Sequence, residues 1–330
     1  MFKRPLILVA ASLAALTLTG CGAGAPKADT GHSAISGYPV TISSCGVTAT
    51  IKAKPEHAVT LNQGATQVVL ALGAGDQLAG TAYLDDQIPA KWKAAYDKVP
   101  VLSKEYPSKE QFLAAKPDFA YASYGSAFDD KAVGTQQELK SEGIASYLSP
   151  FGCNDKSQQP KTSWQAVWDE VDSVAKAFGV ESRATALQKS QQATLDQLEA
   201  TGAGKGLKVL WYDSSKKVPF VGAGHGGPQL IIDAVGGTNI FAGLAGNWAD
   251  GNWEKVVAAN PDVIVFADAS WDTAKSKIAY LEKDPVLSKL KAVREHHFVT
   301  IPFSESTPSV LLVDGAASVS QQLQKLDITK

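Results

Sequence analysis

The sequence has 330 residues, a formal net charge of -2 and three cysteines. Hydrophobic residues make up 45% and charged residues 19%, a globular composition with enough length for two domains of ordinary size. The small net charge argues against a surface that binds nucleic acid.

The first twenty residues carry the pattern of an export signal. Lys3 and Arg4 precede an apolar run, residues 5–18, that is shorter than a membrane-spanning helix. The run leads to Leu18-Thr19-Gly20-Cys21, which resembles the lipobox of bacterial lipoproteins, where the cysteine is lipidated and anchors the chain to the membrane. The alternative is an ordinary signal peptide that contains a cysteine. We predict a signal peptide over 1–20 and a flexible Gly-, Ala- and Ser-rich tether over 21–37.

Strand and helix patterns alternate over residues 38–160, which predicts an N-terminal α/β lobe with a mostly parallel sheet. The predicted strands are residues 58–61, 78–83, 99–102, 119–121 and 143–147. Residues 161–203 hold no strand pattern and predict two helices, 163–178 and 181–200. The second of these is either a rigid connector between two lobes or one more surface helix.

A C-terminal α/β lobe is predicted over residues 204–330. Its predicted strands are residues 208–212, 263–266 and 298–301, and its predicted helices are 229–234, 274–281 and 310–326. The glycine-rich run 222–227 between them does not match a phosphate-binding fingerprint. We interpret it as a loop that needs a flexible backbone.

One motif occurs in both lobes. Residues 110–123 read EQFLAAKPDFAYAS, and residues 254–267 read EKVVAANPDVIVFA. Each copy predicts a short helix that begins near a Glu, stops before a Pro and leads into a strand that is buried on both faces. Two copies with the same spacing indicate two similar lobes.

Two cysteines remain after Cys21. Outside the cytoplasm an even pair is more often a disulfide than two free thiols, so we predict a bond between Cys45 and Cys153. A metal site is the alternative, although neither residue has a second Cys or a His at ligand spacing.

The lipobox-like site, the two lobes and the repeated motif together resemble the class III substrate-binding lipoproteins of ABC importers for ferric siderophores, haem and cobalamin. The resemblance covers about residues 58–326 and is clearest from Glu110 through Asp118. It implies an α/β fold of two lobes, with mostly parallel sheets, joined by one long helix. It also implies a small organic or metal-chelate ligand in the cleft, a membrane position through the lipid anchor and an ABC permease and ATPase complex as partner. We expect a monomer without cofactor or enzymatic activity. Residues 60–66 and 81–86 are also similar to an actinobacterial subgroup whose proposed ligand is a deazaflavin coenzyme precursor.

The family docks on its permease through one surface Glu per lobe. Glu110 matches the first-lobe position, and its alternative role is a helix N-terminal charge. The second-lobe position falls on His225 instead of a Glu. Either a neighbour such as Asp233 or Glu254 takes over the docking role, or the protein docks through the first lobe alone.

The ligand is expected at the carboxyl ends of the strands, between the lobes. The predicted ligand-binding residues are Asn62, Gln63, Tyr83, Asp85, Tyr106, Tyr124, Trp211, Tyr212, His225, Trp248, Trp271, Phe303 and Glu305. Aromatic side chains outnumber charged ones in this set, which favours a flat or ring-bearing organic ligand over a bare metal ion. Each aromatic residue has packing as its alternative role, and His225 has haem ligation or simple exposure in a loop.

Two other classes of protein stay open from the sequence. An enzyme on a similar scaffold could use Asp85, Asp86 and Asp213, but no nucleophile motif accompanies them. A zinc or manganese receptor needs several converging His and carboxylates, and the five His are scattered. Beyond the signal, Arg183 and Arg294 are the only arginines, which argues against an anionic siderophore.

Overall fold

The structure, a computed structural model, describes residues 37–326 and residue 328. The predicted signal peptide, the lipidation site Cys21 and the tether up to residue 36 lie outside the described residues. The described residues belong to one compact unit. Among the described helices, none is both long and apolar enough to cross a membrane.

The first lobe is built on a parallel sheet of five strands in the order β5-β4-β3-β6-β7. Its strands are β3 (Ala58–Leu61), β4 (Leu78–Ala82), β5 (Val101–Ser103), β6 (Phe119–Ala122) and β7 (Ala145–Leu148). Its helices are α1 (Gln63–Ala71), α2 (Ala90–Tyr96), α3 (Lys109–Ala114) and α4 (Gln136–Ser141). The two central strands, β3 and β6, are buried along their whole length, as unbroken apolar runs require.

An antiparallel hairpin that was not predicted precedes this sheet. It consists of β1 (Val40–Ser44) and β2 (Val47–Ile51), and its inward residues join the first-lobe core. Cys45, in the turn of the hairpin, is bonded to Cys153 as the sequence predicts. The disulfide therefore attaches the hairpin to the loop that leaves β7.

Two antiparallel helices, α5 (Trp164–Phe178) and α6 (Glu181–Thr201), lie across both lobes. Along α6, Ala184 and Leu187 pack on the first-lobe core, whereas Leu195 and Leu198 pack on the second-lobe core. A 21-residue helix is about 30 Å long, which suffices to reach from one core to the other. Helix α6 is therefore the connector between the lobes rather than a surface helix.

The second lobe has a six-stranded mixed sheet in the order β11-β9-β8-β12-β13, with β10 paired to β8. Its strands are β8 (Lys208–Ser214), β9 (Phe220–Gly222), β10 (Thr238–Asn239), β11 (Trp248–Asp250), β12 (Val263–Asp268) and β13 (Phe298–Pro302). Its helices are α7 (Gly227–Ala234), α8 (Trp253–Ala259), α9 (Ala274–Lys283), α10 (Lys291–Arg294) and α11 (Leu312–Leu323). The central strands β8, β12 and β13 are parallel, and β9 and β11 add antiparallel pairs at one side.

The repeated motif has the same structural role in both lobes. The Asp118 carboxylate accepts the backbone N–H groups of Glu56 and His57, directly before β3. The Asp262 carboxylate accepts the backbone N–H of Lys208, at the start of β8. In each lobe the aspartate before one central strand therefore fixes the start of the neighbouring central strand. This shared role explains why the motif occurs twice.

Candidate functional site

A cavity of about 70 Å³ lies between the two lobes and the helix α5. Its lining residues are Gln63, Gly64, Asp85, Ser123, Tyr124, Ser149, Phe151, Glu170, Asn247, Trp248, Phe303, Ser304, Thr307, Pro308 and Ser309. Pockets that hold drug-sized ligands measure roughly 300–1,000 Å³. A ring-bearing ligand therefore enters only if the lobes separate or the lining side chains rotate.

On the first-lobe side of the cavity, polar and aromatic side chains follow β3, β4, β5 and β6. Tyr83 stacks on Tyr106 with ring centroids 4.6 Å apart, and the Asn62 amide donates a hydrogen bond of 3.0 Å to the Tyr106 hydroxyl. Tyr124 and Asp85 line the cavity beside this pair. Asn62 and Tyr83 both have positive φ, at 77° and 57°, a strained backbone that is common at ligand sites.

The second-lobe wall is a row of three aromatic rings. Phe303 lies 6.1 Å from Trp248 and 5.1 Å from Trp271, measured between ring centroids. Trp248 and Phe303 line the cavity, and Trp271 extends the row outward with 56% of its surface exposed. Aromatic side chains thus face the cavity from both lobes, an arrangement suited to a ring held between them.

Glu170 of α5 lies on the inner wall of the cavity, with only 3% of its surface exposed. The Tyr121 hydroxyl donates a hydrogen bond of 2.6 Å to its carboxyl group. Burial raises the pKa of Glu170 to about 7, against the opposing hydrogen bonds from Tyr121 and Ser149. This carboxyl group can therefore gain or lose a proton near neutral pH.

Three polar atoms at the cavity are buried and have no hydrogen-bond partner within the described residues. They are Nε2 of Gln63, Nε1 of Trp248 and Oγ of Ser309. Because an unpaired buried polar group is costly, these atoms are ready to bond to a ligand that carries oxygen or nitrogen acceptors.

The charge of the cavity lining is negative or neutral. Among the described residues that line it, none is Lys, Arg or His, whereas Asp85 and Glu170 are acids. Burial and the neighbouring Asp86 raise the pKa of Asp85 above its ordinary value. The described residues also contain no group of three or more His, Cys, Asp or Glu that could hold a metal ion.

The cavity brings together only part of the predicted ligand-binding set. Gln63, Asp85, Tyr124, Trp248 and Phe303 line it. Trp271 contacts the lining residue Phe303. Asn62, Tyr83 and Tyr106 contact one another and are not part of the lining.

The prediction for Trp211 and Tyr212 needs correction, because both side chains are fully buried in the second-lobe core. The predicted strand ended at residue 212, but β8 continues to Ser214. The two aromatic residues therefore lie inside the strand rather than at its carboxyl end.

The remaining predicted residues do not line the cavity. His225 is exposed in the loop before α7, beside an outer groove that it shares with Phe151 and Trp248. Glu305 follows the cavity residue Ser304 but is not itself part of the lining. The two motif glutamates, Glu110 and Glu254, are exposed in the first turns of α3 and α8.

The glycine-rich loop 222–227 also differs from its interpretation as a flexible segment. A Cβ atom at Gly224 would lie 1.9 Å from the carbonyl oxygen of Ala242, and one at Gly227 would lie 2.0 Å from that of Ser306. These glycines are needed because backbone packs directly against them.

Ten of the lining residues were not predicted from the sequence: Gly64, Ser123, Ser149, Phe151, Glu170, Asn247, Ser304, Thr307, Pro308 and Ser309. Glu170 carried a usable signal: it interrupts the buried face of α5 between Val167 and Val171. A charged residue on an apolar stripe indicates a buried carboxyl group with a specific partner.

The chain is similar to a known protein family, to a curated protein and to solved structures. A family described as periplasmic binding protein matches residues 59–305. A relative, an uncharacterised ABC transporter substrate-binding lipoprotein of Bacillus subtilis, is 26% identical over 98% of both chains.

Solved structures agree with this match. A periplasmic binding protein from Veillonella parvula superposes with a TM-score of 0.74 at 29% identity, covering 86% of this chain and 96% of that one. A protein of an ABC-type ferric hydroxamate transport system from Saccharomonospora viridis has a TM-score of 0.71 at 21% identity, covering 86% of this chain and 99% of that one. With its two α/β lobes, connecting helix and inter-lobe cavity, the chain belongs to the periplasmic binding protein family, whose members are transport binding proteins rather than enzymes.

Proposed function

We propose that this protein captures an iron-siderophore-like or other ring-bearing organic ligand between its lobes and delivers it to the permease of an ABC importer. The cavity itself supports this class of ligand. Tyr124 faces the cavity from one lobe, and Trp248 and Phe303 face it from the other. Aromatic faces bind rings by stacking and by burial of apolar surface.

The charge of the cavity narrows the class of ligand. Asp85 and Glu170 supply negative charge or hydrogen-bond acceptors, and no cation lines the described cavity. An anionic ligand would therefore be buried against carboxylates without a counter-charge, which is costly. A neutral or cationic ligand fits, because its N–H or O–H groups can donate to the two acids.

Among siderophore complexes, a described lining with two acids and no cation favours ferric hydroxamates without net negative charge over ferric catecholates. Cobalamin and an uncharged deazaflavin precursor satisfy the same conditions of rings, donors and acceptors. Haem is the weakest of these alternatives, because its two propionates would need cations that the lining lacks.

The family and the sequence support a membrane position and an ABC permease as partner. We infer that lipidation at Cys21 holds the protein on the outer side of the cell membrane. In that position the two lobes, 38–160 and 204–330, and the connector, 161–203, can contact the permease. Glu110 is the proposed first-lobe docking residue, because it is exposed in the first turn of α3. The second docking point is His225, Asp233 or Glu254, all of which are exposed.

Isothermal titration calorimetry with a charge series tests the ligand class. The series contains a cationic and a neutral ferric hydroxamate, an anionic ferric catecholate, haem, cobalamin and a deazaflavin. We expect micromolar or tighter binding of a member without net negative charge. Tight binding of the anionic chelate alone would refute the charge argument, and binding of none of the series would refute the ligand class.

A further inference from the structure

The lobes contact each other directly through polar side chains that border the cavity. The Ser304 hydroxyl of the second lobe donates a hydrogen bond of 2.8 Å to the Asp86 carboxylate of the first. Close by, Lys91 Nζ on α2 lies 2.8 Å from the Asp314 carboxylate on α11. Because Ser304 and Asp85 line the cavity, these two contacts close one of its margins.

Glu305 lies among these residues without a partner of its own. Its Oε2 atom is buried and has no hydrogen bond within the described residues. The charged groups that face it are Asp86 after β4, Lys91 on α2 and Asp314 on α11. A Cβ atom at Gly315 would lie 2.4 Å from the Glu305 carbonyl oxygen, so α11 packs against the Glu305 backbone and holds the residue in place.

We propose that Asp86, Lys91, Ser304, Glu305 and Asp314 form a clasp that holds the lobes closed, and that ionisation of Glu305 opens it. The proposal rests on the proposed function, because the clasp controls access to the same cleft. With Glu305 neutral, the clasp has two carboxylates and one ammonium group. With Glu305 ionised, three carboxylates face that single ammonium group in a partly buried site.

The direction of the pH effect follows from the surroundings of Glu305. Burial, and then repulsion from Asp314 and Asp86, raises its pKa to about 7, whereas Lys91 acts in the opposite direction. We expect the pKa of Glu305 to return to its ordinary value near 4.5 in an open form, where water reaches the carboxyl group. Closure therefore takes up a proton. It is most favourable below pH 4.5 and weakens as the pH rises through about 7.

The size of the effect is set mainly by Glu305. The Lys91 and Asp314 side chains are 49% and 42% exposed, and such a pair changes the ratio of closed to open protein by about fivefold at most. For Glu305, we expect a change on the order of tenfold in that ratio between pH 5.5 and pH 8.5, after allowance for its partial exposure.

Double electron–electron resonance between spin labels measures lobe separation without any ligand. The labels are attached to cysteines that replace Lys104 in the first lobe and Lys217 in the second, both of which are exposed. The full chain carries Cys21→Ser, and the bonded Cys45 and Cys153 do not react with the label.

Two substitutions are expected to change the distance distribution in opposite directions. In the wild type, the population with separated lobes should be larger at pH 8.5 than at pH 5.5. Lys91→Glu should enlarge this population at pH 5.5, and Glu305→Gln should reduce it at pH 8.5. The charge-swapped pair Lys91→Asp with Asp314→Lys should restore the wild-type distribution. Glu199→Gln, an exposed acid on α6 outside the clasp, should leave it unchanged.

A wild-type distribution that is the same at both pH values would overturn the clasp. So would a Glu305→Gln protein that keeps the full pH dependence. Because the measurement needs no ligand, a calorimetric series without binding would refute the proposed ligand class and leave this result intact.

Discussion

The Tyr121 hydroxyl donates a hydrogen bond of 2.6 Å to the Glu170 carboxyl group, joining strand β6 of the first lobe to helix α5 at the inner wall of the cleft. Tyr121 itself is 1% exposed, so both residues of the pair are buried. The cleft is therefore bounded by an acid that belongs to the inter-lobe helices and not to either sheet.

The buried Glu170 makes stability depend on pH. Its pKa is about 7 in the folded protein and near the ordinary 4.5 when unfolded, so folding binds a proton. Its contribution is present in full below pH 4.5 and is lost as the pH rises through about 7. At pH 8 the ionised Glu170 should lower the free energy of unfolding by about 2 kcal/mol, and Glu170→Gln should remove this loss. Thermal unfolding from pH 5.5 to 8.5 measures this, and equal slopes for variant and wild type would contradict it.

The disulfide joins residues 108 positions apart. Replacing Cys45 and Cys153 together by Ser should lower the free energy of unfolding by about 2–4 kcal/mol, because the unfolded chain regains the freedom of a long loop. Phe151 and Ser149 of the attached loop line the cavity, so ligand affinity should fall as well. Urea unfolding of variant and wild type checks the first effect, and coincident midpoints would show that the bond contributes nothing.

Two glycines in the second lobe provide a matched pair. A Cβ atom at Gly224 would lie 1.9 Å from the Ala242 carbonyl oxygen, whereas one at Gly243 would meet nothing within 4 Å. Gly224→Ala should therefore cost roughly 1–3 kcal/mol of stability, and Gly243→Ala less than about 0.5 kcal/mol. Chemical denaturation compares them. Equal stability of the two variants would mean that the loop adjusts without cost.

Permease docking is separable from ligand binding. Glu110→Arg places a positive charge on an exposed helix turn of the first lobe, where we propose that the permease binds. Uptake of the cognate ligand into cells should fall at least several-fold, with ligand affinity unchanged. Asp76→Arg, another exposed acid of the same lobe, is the control and should leave uptake intact. Normal uptake by the Glu110 variant would exclude it from docking.

The sequence predicted the central strands of both sheets because these strands are buried on both faces and read as unbroken apolar runs. The hairpin of β1 and β2 was missed, because each strand has only five residues that alternate in burial. The Ser-Cys-Gly turn between two alternating runs was the available signal.

Site residues were harder to predict, since they depend on where a strand ends and how two lobes meet. An error of two residues at the end of β8 assigned the core residues Trp211 and Tyr212 to the cleft. The contact of Asp86 with Ser304 joins residues 218 positions apart, and no local pattern records such a pairing.

We propose that the ligand binds in the cavity between Tyr124 and Trp248, and tryptophan fluorescence is the measurement that we would make first. Trp248→Phe removes an indole that lines the cavity. Trp253→Phe removes one whose N–H donates to the Lys216 carbonyl oxygen, outside the cavity lining. With the ligand that binds in the charge series, the Trp253 variant should keep saturable quenching at wild-type affinity. The Trp248 variant should lose most of the quenching and bind several-fold more weakly. The reverse pattern would place the ligand outside the cleft and contradict the claim.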